Sequence, residues 1–354
     1  MQSRLKFWKY PIFLVLLLVV IAAFTYIYSA SDIAAAPYEP VEVPPDYVVA
    51  ATPEPPEEVE EPEPEPELEP EPEPVDEPEE ILFNNPTEDG FVLFSMEEAE
   101  INRGFLILVN FNHTFELPAE LDLVNITTEK TAPFRVLGQN YLLRRSIIEP
   151  LDGMMQDYID STGNNSVAVI SAFRNYAAQQ RILDQQIRLR GEREARRWAA
   201  EPGHSEHHTG LAVDFGVFAG GTRSTFTGTG VTAWFRRNAH HHGFILRYPA
   251  NKTRITRVAH EPWHFRYVGI PHSHLLFQKS WCLEEFIENI REYTFEEPLE
   301  FEFDDVLYEI YFVEGTEIKL PLNSEFDISG NNIDGFIVTI VRQETDPTVT
   351  DVSI

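Results

Sequence analysis

The residues with chemistry in them are concentrated in Gly203-His204-Ser205-Glu206-His207-His208-Thr209-Gly210-Leu211-Ala212-Val213-Asp214. His207 offers an imidazole nitrogen and Asp214, seven positions on, a carboxylate oxygen. Both are ordinary ligands of a borderline-soft ion such as Zn²⁺. A catalytic zinc takes three protein ligands and keeps one position open, so a third is expected elsewhere. Glu261-Pro262-Trp263-His264 supplies it in His264. In an extended segment, residues three apart face opposite ways. Pro262 restricts the backbone and favours a bend, which would bring Glu261 and His264 to one side. Glu261 would then take a proton from the water that the metal activates and pass it to a leaving amine. Two His and one carboxylate on zinc, with a separate Glu as base, is an arrangement for hydrolysing a peptide bond. Its roles are those of the helical H-E-x-x-H motif, without the helix. One His-x₆-Asp match alone is more often surface polarity; the two motifs together carry the reading.

The other histidines read as weaker candidates. His208 would point away from its ligand neighbour. His204, His260, His272 and His274 read as ordinary polar residues. His240-His241-His242 reads as a solvated helix end that binds metal only adventitiously.

These residues need a frame. Gly104–Asn110 and Val167–Ala172 read as buried strands, and 141–160 as a helix with Leu142, Leu143, Ile147, Leu151, Met154, Met155 and Tyr158 apolar. A helix of about twenty residues follows Tyr176, ended by the Pro202-Gly203 break. Residues 222–230 read as a Gly/Thr/Ser loop, 233–242 as a helix stopped by Gly243, and 244–248 as a strand. Residues 273–293 read as one amphipathic helix. From 298 on, apolar and polar residues alternate between Asn and Gly turns, the pattern of a small antiparallel β unit.

With that frame, Ser205-x-His207-x-x-Gly210-x-Ala212-x-Asp214 followed by Glu261-x-Trp263-His264 resembles the VanY-type D-alanyl-D-alanine carboxypeptidase family of zinc peptidases. Ser171-Ala172-Phe173-Arg174-Asn175-Tyr176, with Gln179 downstream, is similar to a further segment of that family. Pro202-Gly203-x-Ser205-Glu206-His207 and Gly243-Phe244-Ile245-Leu246-Arg247-Tyr248-Pro249 are also similar. The resemblance covers roughly residues 100–275 and leaves out both ends. It implies zinc on His207, Asp214 and His264, with Glu261 as base. It implies Arg174 as the group that polarises the scissile carbonyl or holds the substrate carboxylate, a task suited to the two parallel hydrogen bonds of a guanidinium. Ser205 and Gln179 are implied to line the substrate site; Tyr248 either lines it with them or packs beside it.

The rest of the chain concerns location. The 354 residues carry a net charge of -31, with -18 in residues 38–80 and -16 in 284–354. Residues 81–283 are near neutral, at about +1. No basic face suggests nucleic acid, and the charge argues against it. The single cysteine, Cys282, excludes an intrachain disulfide and a thiolate cage. Residues 1–10 are basic and read as cytoplasmic; the uncharged run from Pro11 to Tyr28, roughly 27 Å as a helix, reads as a transmembrane anchor over 11–29, with a signal cleaved at Ala34-Ala35-Ala36 as the alternative. Residues 30–80 read as a disordered spacer; within it 38–80, Pro and Glu in near alternation, have a reach on the order of 130 Å. Residues 81–294 are the expected zinc carboxypeptidase domain and 295–354 a small β domain.

The fold class expected is α+β: a small antiparallel sheet flanked by helices with a zinc cleft, plus a short C-terminal all-β unit. The expected protein is a monomeric, single-pass membrane enzyme, its catalytic domain extracytoplasmic. It would remove the terminal D-Ala of peptidoglycan stem peptides. Alternatives are an L,D-carboxypeptidase or endopeptidase on the same peptides, or an inactive cell-wall-binding protein.

Overall fold

A computed structural model describes residues 90–342. The run at 11–29 and the spacer at 30–80 lie outside the described residues. Among the described residues, no helix is long and apolar enough to cross a membrane.

The described chain opens with β1 (Phe91–Ser95). Gly104–Asn110, expected as a strand, is buried from Leu106 to Asn110 but joins no ladder. Its backbone is satisfied by other means. Leu106 N–H donates to Ser329 Oγ, Leu108 N–H donates to the Asn331 carbonyl, and Arg266 donates to the carbonyls of Phe105 and Ile107. Both faces are apolar because both are covered: Ile107 and Val109 enter one core, Leu106 and Leu108 another.

β2 (Leu123–Asn125), β3 (Arg135–Val136) and β4 (Leu142–Arg144) precede α1 (Ile148–Thr162). Leu142 and Leu143 therefore belong to a strand paired with β2, and not to the expected helix over 141–160. β5 (Val167–Ser171) is buried throughout, as its unbroken apolar run requires. α2 (Tyr176–Arg190) starts where the Asn175 side chain accepts the Ala178 N–H. It ends at Gly191, earlier than the expected break at Pro202-Gly203. β6 (Ala212–Ala219) is followed by β7 (Thr222–Ser224), a short strand within the expected loop.

α3 (Ala233–Asn238) continues as a 3₁₀ turn over Ala239–His242, and Gly243 stops it at φ 79°. β8 (Phe244–Leu246) and β9 (His264–Tyr267) follow. The single helix expected over 273–293 is two, α4 (His272–Lys279) and α5 (Leu283–Asn289). Ser280 turns left-handed, and Glu285 caps the new start by accepting the Cys282 N–H. Last come β10 (Leu299–Phe303), β11 (Val306–Glu314), β12 (Glu317–Pro321), β13 (Glu325–Gly330) and β14 (Gly335–Arg342).

The fold is thus a mixed one of sheets and helices. The main sheet has the order β3-β5-β6-β9-β8, with β7 folded back on β6. It is not wholly antiparallel as expected: β3 and β5 are parallel. The connection between them contains α1, and a crossover of that kind brings the chain back in the same direction. Phe215, Phe226, Phe235 and Phe265 pack as an aromatic cluster beneath this sheet, with centroids 5.0–6.3 Å apart. The C-terminal strands form the expected antiparallel unit, β10-β11-β14-β13. β12 turns away to pair with β1, so the first described strand is tied to the C-terminal part of the chain. Leu275 and Phe286 of the α4–α5 layer pack with Leu299 and Ile310 of that unit.

Candidate active site

The ligand candidates are placed by strand register. β6 and β9 run antiparallel with Asp214 directly opposite His264. Alternation then sends Val213, Phe215 and Phe265 into the core, while Asp214 and His264 project from the other face. The aromatic cluster is therefore the floor on which both are held. His207 comes from a 3₁₀ turn, Glu206–Thr209, that leads into β6. Gly210 ends the turn at φ +69°, and a Cβ there would stand 2.8 Å from Leu123 Cδ2 and 3.3 Å from the Arg144 nitrogen. Only glycine fits both the dihedral and the space.

Donors of His207, Asp214 and His264 lie within 4.8 Å of one another. His207 Nε2 is 3.3 Å from Asp214 Oδ2, and His264 Nδ1 is 2.9 Å from Asp214 Oδ1. His207 Nδ1 lies 2.6 Å from the Ala172 carbonyl, which can only accept, so Nδ1 carries the hydrogen. Nε2 is left with a lone pair, buried, and with no hydrogen-bond partner. A buried polar atom in that position costs stability unless something binds it, and a metal ion held by Asp214 and His264 would do so. The residues present fit zinc.

Glu261 reaches the same place by the expected bend. The His264 N–H donates to the Glu261 carbonyl at 3.2 Å, closing a turn with Pro262 at its second position. Glu261 Oε2 then lies 3.8 Å from His264 Nδ1. Burial pushes its carboxyl up to about 8; His264 and Arg174 oppose this, and Asp214 and Glu206 add to it. Burial and the Arg174 charge lower His207 to about 4. His264 is pushed the other way, up to about 9, because hydrogen bonds to Asp214 and Glu206 outweigh its burial. Three buried carboxyl groups surround two imidazoles, and positive charge at His264 is favoured among them. A divalent cation among the same groups would supply that charge instead.

Arg174 lies at the end of β5, on the loop whose backbone N–H donates to the His207 carbonyl. Its Nε is buried without a partner, and its charge acts on both His207 and Glu261. Ser205 is buried immediately before the 3₁₀ turn. Tyr248 packs its ring 4.9 Å from that of His264, and its carbonyl accepts the Glu261 N–H. Gln179 is buried on α2, its Nε2 donating to the Ala200 carbonyl and its Oε1 unpaired. His208 points away from the ligand set as expected: Nε2 accepts the Gly203 N–H and Nδ1 donates to the Arg174 carbonyl.

The sequence reading gave no role to Glu206. Its buried carboxylate accepts from Arg247 Nε and Arg266 Nη1, each at 2.7 Å, and faces His264 Nε2 at 3.4 Å. Burial works to raise its pKa, yet Arg247, Arg266 and His264 hold it well below the usual carboxylate range. Glu284 grips Arg247 through both oxygens, at 2.7 and 2.8 Å. A carboxylate on the far nitrogen of a ligand histidine fixes the ring and its tautomer. The signal was present in the sequence: Arg247 and Arg266 are charges inside otherwise apolar strands, and such charges need a buried partner.

Comparison with known proteins agrees with this geometry. The family model for D-alanyl-D-alanine carboxypeptidase (VanY) matches residues 140–270. A D-alanyl-D-alanine carboxypeptidase of Enterococcus faecium is 31% identical over 274 residues, which span 76% of this chain and 85% of the relative. A bifunctional D-Ala-D-Ala dipeptidase and D-Ala-D-Ala carboxypeptidase, VanXYC of Enterococcus gallinarum, is 34% identical over 133 residues, 36% of this chain and 70% of that one. The crystal structure of the vancomycin resistance D,D-dipeptidase VanXYg, in complex with a D-Ala-D-Ala phosphinate analog, superposes with a TM-score of 0.64 at 35% identity, covering 71% of this chain and 99% of that one. The chain belongs to the VanY family of D-alanyl-D-alanine carboxypeptidases, which are zinc peptidases.

Proposed function

We propose that this protein removes the C-terminal D-alanine from peptidoglycan stem peptides. The observation that carries the reading is the convergence of His207, Asp214, His264 and Glu261 at one buried point. His207, Asp214 and His264 would hold zinc. When bound, it supplies Lewis acidity, which acidifies water and polarises a carbonyl. Glu261 takes the proton of the attacking water and delivers it to the leaving amine. Its raised pKa suits a group that must both accept and return a proton near neutrality. Arg174, whose Nε is buried without a partner and whose charge acts on His207 and Glu261, pairs with the substrate's free carboxylate. Ser205, Gln179 and Tyr248 contact the substrate; Tyr248 packs its ring against His264, and Gln179 keeps its Oε1 free while Nε2 holds the Ala200 carbonyl.

A second reading, dipeptide hydrolysis, is favoured by the two relatives whose names include a D,D-dipeptidase. An L,D cut or an endopeptidase cut would use the same centre. Digestion of a pentapeptide, a tetrapeptide and free D-Ala-D-Ala, read by mass spectrometry, separates these. Release of D-Ala from the pentapeptide supports the proposal; cleavage of the tetrapeptide or the dipeptide alone replaces it.

The organisation of the chain completes the proposal. Residues 11–29 anchor the protein in the cell membrane and 30–80 form the spacer. Residues 81–294, the catalytic domain, are carried outside the cytoplasm toward the wall, and 295–354 are a β domain attached to it. The protein works as a monomer. The uncharged run at 11–29 and the charge and proline content of 30–80 support this reading.

A further inference from the structure

We propose that His240, His241 and His274 form a second transition-metal site, separate from the peptidase centre, that binds a zinc-class divalent ion through three imidazole nitrogens. Their donor atoms lie within 4.8 Å of one another. The ring centroids are 4.1 Å apart for His240 and His241, 4.8 Å for His240 and His274, and 5.0 Å for His241 and His274.

Hydrogen bonding makes this more than a chance cluster. Buried histidines elsewhere in the protein use their nitrogens: both ring nitrogens of His208 are bonded, and His272 Nε2 meets Thr339 Oγ1 at 2.9 Å. Among the described residues, the buried ring nitrogens without a partner are His207 Nε2, His240 Nδ1 and His274 Nε2. The first belongs to the peptidase ligand set, and the other two both belong to this cluster. Unpaired buried polar atoms are expensive, and an ion would satisfy both at once. Their basicity fits. Burial and neighbouring histidines lower His240 to about 4, and burial with His241 and His242 lowers His274 likewise, although Asp304 opposes it. Both shifts favour the neutral ring, which has a lone pair to offer.

The rings are also held in place. Phe277 stacks on His240 at 3.7 Å with 6° between planes, and Phe303 covers His274 at 3.7 Å. The Ser273 hydroxyl donates to the His240 carbonyl. Three imidazoles with one open position suit zinc, with copper and nickel as competitors. Two nitrogens of a tetrahedral zinc are separated by about 3.3 Å, so modest ring rotation closes the site.

The site is distinct from the peptidase centre. His264 begins β9, whereas Gly243, which follows the turn carrying His240 and His241, bonds to Val268 and Gly269 beyond its other end. The ion would tie that turn to α4, against which Phe303 at the tip of β10 packs. Its role is to brace this junction with the C-terminal strands.

The test uses the full chain, stripped with chelator, re-equilibrated with Zn²⁺ and measured for metal content and thermal unfolding. His241 is exposed, so His241→Ala leaves the fold and the peptidase centre alone. The wild type is expected to hold two equivalents, and His207→Ala and His241→Ala one each. The double variant is expected to hold none. In the His207→Ala background, zinc at about 100 times its Kd should raise Tm by about 5–10 °C, and adding His241→Ala should abolish that shift. Cobalt in place of zinc should give visible absorption that disappears with the same substitution. Equal metal content in His207→Ala with and without His241→Ala would overturn the proposal, as would a wild type that holds one equivalent.

Discussion

Glu206→Gln keeps the shape of a buried side chain and removes its charge. The wild-type carboxylate accepts from two guanidiniums at 2.7 Å and faces His264 Nε2 at 3.4 Å. In the variant, Oε1 can still accept both guanidiniums, but the new amide group takes the place of Oε2 and sets a donor against His264 Nε2. Removing one partner of a buried ion pair costs roughly 3–5 kcal/mol. Here Arg247 keeps both oxygens of Glu284, and Arg266 keeps the carbonyls of Phe105 and Ile107. The cost should therefore fall near the lower end, about 3 kcal/mol, within a typical stability of about 5–15 kcal/mol. The variant stays folded, with Tm lowered by about 6–12 °C. His264 also loses the group that orients it, and losing such a partner lowers metal affinity about 10–100-fold. Competition for zinc against a chromophoric chelator measures that, alongside thermal melts of stripped protein. If Glu206→Gln binds zinc as tightly as wild type, the claim that Glu206 positions His264 is refuted, whatever happens to Tm.

Other substitutions separate the roles at the site. Glu261→Ala should lower kcat by about 10²–10⁴-fold with zinc content unchanged, checked by metal analysis of the assayed sample. Arg174→Ala should lose about 1.5–3 kcal/mol of carboxylate binding, or roughly 10–150-fold in kcat/KM. The same variant should lose much less on a C-terminally amidated peptide, a comparison that tests whether Arg174 binds the free terminus. Gly210→Ala forces a Cβ against Leu123 at φ +69°. It should cost about 1–3 kcal/mol, visible as a lower Tm, and should weaken zinc binding by displacing His207.

How far the sequence spoke depended on how local each determinant was. His207 and Asp214 are joined by one turn and one strand, and Pro262 makes the Glu261 bend, so short-range spacing was enough for the cluster. The left-handed stop at Gly243 was legible for the same reason. Glu206 was not, because its partners Arg247, just after β8, and Arg266 and His264, in β9, meet it only in the folded state. Leu142 and Leu143 fit a helical stripe as well as a strand, and pairing with β2 decided between them. Gly104–Asn110 has a strand's composition, but its backbone bonds go to side chains and loops that no spacing reveals. His274 read as an ordinary polar residue because its neighbours His240 and His241 are more than thirty positions away in the sequence.

The most direct test of the central claim is a pentapeptide digest by the full chain, with metal content measured on the same sample. The account predicts loss of one terminal D-Ala, abolished by chelator, restored by Zn²⁺ and absent in Glu261→Ala. A zinc-loaded chain that leaves the terminal D-Ala in place would contradict it.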